Sequence, residues 1–245
     1  MKKFTTLLLS SILLTGLIGC SPTDLQNFQS VVESLTAYSS TIKEEKPLFA
    51  ELKGTYEELF TVISDPQYDS IWLSECAALV GEDAAFEAAE MLKSSCTGTI
   101  YGKEAVDVYG DRSNGMQFDC FFINGVSRLT FHDDVISGTD PDGNLLFEHT
   151  YKDAGAFSLA GMMEGTLYEA TDGSQDSFHY FLMMPDTPDT TWHIEFRYGN
   201  DLDALGKYNE GDLAYWLAAG IRTDHTNETI ENVIRLFCEE NLSGE

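Results

Sequence analysis

The chain has 245 residues, 43% of them hydrophobic, which is enough for one sizeable core plus an extension. Fourteen basic residues against 41 acidic ones give a formal net charge of −27. A surface of that sign repels phosphate backbones and anionic lipid headgroups, so nucleic acid is excluded as a partner. It gathers cations without any specific site, and its simplest service is solubility.

The first residues read as a targeting segment. Lys2-Lys3 supply the charge, and Phe4–Leu14 supply an apolar run too short for a membrane span. Leu17-Ile18-Gly19-Cys20 has the form of a bacterial lipobox with Cys20 as the acylated residue. The expectation is a lipoprotein signal peptide over residues 1–19. The protein would then lie outside the cytoplasmic membrane, held by lipid alone.

Residues 20–64 are predicted to form a helical extension. Leu25, Phe28, Val32 and Leu35 make one stripe over Ser21–Ile42, and Leu48, Leu52, Tyr56, Leu59 and Ile63 make another over Glu44–Ile63. Two such helices would pack as a hairpin, serving as a spacer or a contact surface. Asp65-Pro66 restarts the chain and marks the expected boundary of a second domain, 65–245. Tyr68, Ile71, Trp72, Cys76 and Leu79 keep helical spacing to Val80, and a short helix follows over Asp83–Lys93.

From Thr97 the pattern changes to short strands and tight turns. The predicted strands are Thr99–Tyr101, Ala105–Tyr109, Met116–Ile123, Val126–Phe131, Val135–Gly138, Leu145–Tyr151, Thr166–Ala170, Phe178–Met184 and Thr191–Tyr198. Asn124-Gly125, Asp142-Gly143 and Asp172-Gly173 supply turn signals. Sequential hairpins without helical crossovers imply an antiparallel meander, which loses its edges most easily by closing into a barrel. The fold class is therefore mainly β with flanking helices. After the barrel, a helical turn is expected at Leu202–Leu205, a helix at Asp212–Ala219, and a last helix from Thr226 or Asn227 with Ile230, Val233, Ile234 and Phe237 on its apolar face.

The strongest functional signal is His193-Ile194-Glu195. On a strand, residues i and i+2 share a face, so an imidazole and a carboxylate stand side by side. Asp186, in the turn before them, could join them in holding a divalent cation, with His179 in reserve. His132-Asp133-Asp134 is a second acidic cluster, but a solvated turn explains it better. Gly161-Met162-Met163 and Met183-Met184 are better read as core filler than as soft ligands. No pairing of an activated nucleophile with a general base is visible, so no enzymatic chemistry is expected. Cys76, Cys96, Cys120 and Cys238 carry no metal-binding spacing. They could be buried thiols or bridges, Cys76–Cys96 being the pairing that would tie neighbouring helices.

The stretch Trp192–Asp201, W-H-I-E-F-R-Y-G-N-D, resembles the C-terminal signature of the ZinT family. That family includes zinc-binding periplasmic proteins and the C-terminal domain of AdcA-type zinc-uptake lipoproteins. The likeness extends from about Asp65 onward and implies a lipocalin-like (calycin) barrel that binds zinc. It departs from the pattern where it matters most. The second His of the family's H-x-H is Glu195 here, and the earlier Asp-His position falls on Asp186. Glu195 and Asp186 would make a harder, more weakly zinc-selective ligand set than three imidazoles.

The expected function is thus an exported lipoprotein that captures zinc or another divalent transition metal. It would deliver the ion to an uptake permease or solute-binding protein. The alternatives are a barrel that has lost its metal and binds a small apolar molecule, and a structural or adhesive role through the N-terminal helices.

Overall fold

The computed structural model describes residues 46–110 and 118–243. The lipobox with Cys20, the helix expected over Ser21–Ile42, and the start of the Met116–Ile123 strand lie outside them. Among the described residues, eight antiparallel strands close into an up-and-down barrel in simple sequence order. They are β1 (Gly54–Glu58), β2 (Arg128–His132), β3 (Val135–Thr139), β4 (Leu145–Leu159), β5 (Met163–Ala170), β6 (Tyr180–Met183), β7 (Ile194–Gly199) and β8 (Ala218–Arg222). The seam is the pairing of β1 with β8, registered by Tyr56 opposite Arg222.

The helices are α1 (Leu59–Ile63), α2 (Asp69–Val80), α3 (Glu82–Ser95), α4 (Lys103–Tyr109), α5 (Leu202–Gly206) and α6 (Asn227–Leu242). The start of α6 is a reciprocal cap. The Thr229 backbone N–H donates to the Thr226 hydroxyl and the Thr226 N–H to the Thr229 hydroxyl, both at 3.2 Å. Its buried face is Ile230, Val233, Ile234 and Cys238. Each of the three aliphatic side chains contributes roughly 1.5–3 kcal/mol by leaving water.

Alternation sorts the side chains into two layers. Inward-facing Tyr56, Leu129, Phe131, Ile136, Phe147, Tyr151, Phe181, Phe196 and Tyr198 fill the barrel with aromatic rings in mutual contact. Phe147 stacks on Phe178 with centroids 3.9 Å apart. Outside, α1, α2, α3 and α6 cover β8, joining Trp72, Leu92 and Val233 to Ala219 and Ile221 in a second core.

Several predicted elements are different in the structure. Gly54–Glu58 is a strand, not part of a helix. Gly54 lies at φ +150°, which interrupts helical continuation, and only Leu59–Ile63 of the expected Glu44–Ile63 helix is helical. The barrel therefore takes its first strand from ahead of Asp65. Ala105–Tyr109 belongs to helix α4, and Thr99–Tyr101 forms no strand. Within Met116–Ile123 the described residues make only isolated bridges at Asp119.

The helix expected over Asp212–Ala219 gives way to β8, whose Ala218, Ala219, Gly220 and Ile221 are all buried, so no alternation announces it. Asn124-Gly125 makes a left-handed turn (φ +59° and +79°) but joins no hairpin. The two-residue hairpin is instead Asp133-Asp134, between His132 and Val135. The Cys76 thiol faces Cys238, not Cys96.

Candidate metal centre

Strand β7 has two faces with different tasks. Ile194, Phe196 and Tyr198 point into the barrel. His193, Glu195 and Arg197 therefore point outward, beneath the helical layer. His193 and Glu195 open into a small cleft of about 50 Å³, continuous with solvent, between α1 and α6. Its apolar wall is Leu59, Phe60 and Ile63 on one side and Val233, Leu236 and Phe237 on the other. Glu240 closes the rim from the last turns of α6.

Local backbone fixes the histidine. Trp192 adopts φ +63°, a left-handed conformation that costs a non-glycine residue on the order of 1–3 kcal/mol. Its side chain packs on the outer core. The kink brings the Thr191 carbonyl 2.8 Å from His193 Nδ1. A carbonyl only accepts, so Nδ1 carries the hydrogen, and in the neutral ring Nε2 is left with a free lone pair. Nε2 lies 3.6 Å from Glu195 Oε1. Hydrogen bonds between Thr187 and Thr191 brace the turn: the Thr187 N–H donates to the Thr191 hydroxyl at 3.1 Å.

The electrostatics show one imidazole among too many carboxylates. His193 is buried, which by itself disfavours its cation. The Glu195 carboxylate, the Thr191 carbonyl and Asp186 outweigh that and hold its pKa above the ordinary value. Asp186 is pushed up by burial and by Glu195, with partial relief from His193. Glu240 is raised by burial and by Glu195 and Asp186, again with relief from His193. Three acids and one base thus share a field in which adding positive charge is favourable.

From the sequence-derived set the structure puts His193 beside Glu195 and adds Glu240 on the wall of the same cleft, while Asp186 reaches them only through its electrostatic field. Nothing local marked Glu240. It reaches the cleft because α6 folds back over β7. His179 is elsewhere. It sits at the opposite end of the β6–β7 hairpin, about 20 Å along the strands from His193 at 3.3 Å per residue. There its ring packs on Tyr180, with Nε2 3.8 Å from Glu169. His149 bonds Asp172 through Nδ1 (2.6 Å) and Asp176 through Nε2 (3.0 Å), which engages both ring nitrogens. Asp133 and Asp134 form the β2–β3 turn, and Asp134 accepts the Leu48 N–H at 2.7 Å.

Among the described residues, no three His, Cys, Asp or Glu side chains stand close enough to form a ready-made metal cage. The donor set of the cleft, one imidazole nitrogen and carboxylate oxygens, still suits a divalent transition metal. The Nδ1–H···O=C bond is also the kind that orients metal-binding histidines.

The described residues form a closed eight-stranded up-and-down barrel with flanking helices, carrying an acidic, histidine-bearing cleft on its outer wall. No family model and no curated protein matches the chain. Among solved structures it is similar to the Zn(II)-bound ZinT-like domain of Streptococcus pneumoniae AdcA, with a TM-score of 0.47, 13% identity, and coverage of 81% of this chain and 93% of that one. It is also similar to Zn(II)-bound AdcA from the same organism, with a TM-score of 0.45, 13% identity, and coverage of 77% of this chain and 34% of that one.

Proposed function

We propose that the cleft beneath α6 captures a divalent transition metal ion, zinc first among them. The observation that carries this reading is the tethered His193. Its Nδ1 is held by a backbone carbonyl, and its Nε2 is turned toward Glu195 in a solvent-connected, carboxylate-rich cleft. His193 would supply nitrogen, and Glu195, Asp186 and Glu240 would supply oxygen after side-chain rotation. The ion's charge would relieve the crowding that raises Asp186 and Glu240. The role is capture and transfer rather than turnover, with release to an uptake permease or a solute-binding protein. With Cys20 acylated, the protein would do this from the outer face of the cytoplasmic membrane. Among the described residues, no helix is long and apolar enough to cross a membrane.

An apolar ligand inside the barrel is the weaker reading, because the rings of Phe131, Phe147, Phe181, Phe196 and Tyr198 pack against one another there.

Zinc titration by calorimetry on the full chain, beside His193→Ala/Glu195→Ala, tests the proposal. One zinc per chain, lost in the variant, is expected. Weak binding to many sites, unchanged in the variant, would assign the response to surface carboxylates and end the metal reading.

A further inference from the structure

All four cysteines after Cys20 are buried, with Cys76, Cys96 and Cys238 fully enclosed and Cys120 3% exposed. They fall into two facing pairs with none left over. Cys76 on α2 and Cys238 on α6 are 162 residues apart in sequence, yet their Sγ atoms are 3.7 Å apart. Cys96 follows the end of α3. The antiparallel bridge between Thr97 and Asp119 sets a register in which Cys96 is directly opposite Cys120, near enough for the two thiols to influence one another. Chance burial of four thiols in one core would not match each to a partner from a distant segment.

We propose that these are two covalent cross-links of the functional protein, Cys76–Cys238 and Cys96–Cys120. In each, the two thiols lose their protons and one Sγ–Sγ bond forms, while an external disulfide, small or on a protein oxidant, takes up both electrons and both protons and becomes two thiols. For Cys76–Cys238, closing to the bonding distance of about 2 Å needs only a small movement of each side chain.

Burial sets the order of events. The enclosed thiols of Cys76, Cys120 and Cys238 have their pKa values pushed up, burial being the main cause. Exchange proceeds through thiolate, so the bonds form while α6 is still undocked and resist exchange afterwards. The Cys76–Cys238 bond fastens α6 to α2 two residues before Glu240, and so holds the acidic rim over β7. The proposal does not depend on the metal reading.

The test is a linkage map of the full chain produced with export to an oxidising compartment. The protein is denatured without reductant, alkylated with N-ethylmaleimide, digested and analysed by mass spectrometry. Peptides joining Cys76 to Cys238 and Cys96 to Cys120 are expected, with alkylation at these positions only after reduction. Alkylated Cys76 and Cys238 in the unreduced sample, or a Cys76–Cys96 link, would overturn the pairing. A thermal melt supplies a second readout. Reductant should lower the wild-type midpoint and leave that of Cys76→Ala/Cys238→Ala/Cys96→Ala/Cys120→Ala unmoved. A wild-type midpoint insensitive to reductant during unfolding would count against the cross-links.

Discussion

Arg197 is the most demanding side chain in the molecule, and its replacement by Met is the sharpest test of the packing around β7. The residue is fully buried. Its guanidinium donates through Nη1 to the carbonyls of Leu205 and Lys207, each at 2.7 Å, and through Nη2 to the carbonyl of Leu213. Its Cζ lies 5.9 Å from the Trp216 ring centroid. Among the described residues no carboxylate pairs with it, and burial pulls its pKa down to about 10. That depression opposes folding by about 3 kcal/mol. Three hydrogen bonds from a charged donor return roughly 5–9 kcal/mol. Two of the three carbonyls are partly open to solvent, which favours the lower bound of that range. Arg197→Met fills the volume of the stem and leaves three acceptors unpaired, so a net loss of about 2 kcal/mol is expected. Urea unfolding followed by tryptophan fluorescence measures it as a lower midpoint at unchanged slope. Arg197→Lys should fall between the two, because an ammonium cannot reproduce the fork. A Met variant within about 1 kcal/mol of the parent would refute the idea that this buried cation holds the 205–213 segment in place.

Other consequences can be measured in the same way. Asp119 is buried beside Glu58, and burial raises its pKa to about 6. A raised carboxyl stabilises fully below its unfolded pKa near 3.8 and loses that contribution as pH rises through 6. The parent should therefore lose about 1–2 kcal/mol, discounted for solvent access, relative to Asp119→Asn between pH 4 and pH 7.5; parallel profiles would exclude the effect. Glu195→Gln should lower the His193 pKa observed by NMR. The stability that protonated His193 supplies below 6.5, which fades as pH rises through its folded value, should shrink with it. An unchanged titration would mean the two side chains do not interact. Gly138→Ala would drive a Cβ into the Phe147 ring, which is already stacked on Phe178. A loss of about 1–3 kcal/mol by thermal unfolding is expected, and a neutral substitution would show that the ring can retreat.

Much of this architecture was legible because it is written locally. The meander follows from Asp and Gly at turns such as Asp142-Gly143, and α6 from Thr226 with its apolar spacing. The misread elements are those in which local pattern and tertiary setting disagree. Tyr56 fits the helical stripe with Leu52, Leu59 and Ile63, yet Gly54 and the open edges of β2 and β8 claim it for a strand. Ala218–Arg222 has no alternation because the barrel core covers one face and the helical layer the other. Val106, Val108 and Tyr109 favour a strand by propensity, but among the described residues no strand pairs with them and they form a helix. At the site, His193 and Glu195 were visible as an i, i+2 pair, whereas their outward orientation depends on which face Ile194 and Phe196 take. Glu240 was invisible for a different reason, since its distance from His193 exists only once α6 has folded back.

The single seam between β1 and β8 has a consequence in time. Strands β2 to β7 join their neighbours through turns and loops, so those pairings can form early and locally. Tyr56 can meet Arg222 only after almost all the intervening chain has been made and ordered, and this long-range closure is the slow step. Until it happens, the molecule is a curved open sheet with two unpaired borders, the state in which such sheets stick to one another. A newly made chain therefore passes its most hazardous interval just before the ring shuts, and whatever hastens the meeting of its first and last strands protects it most.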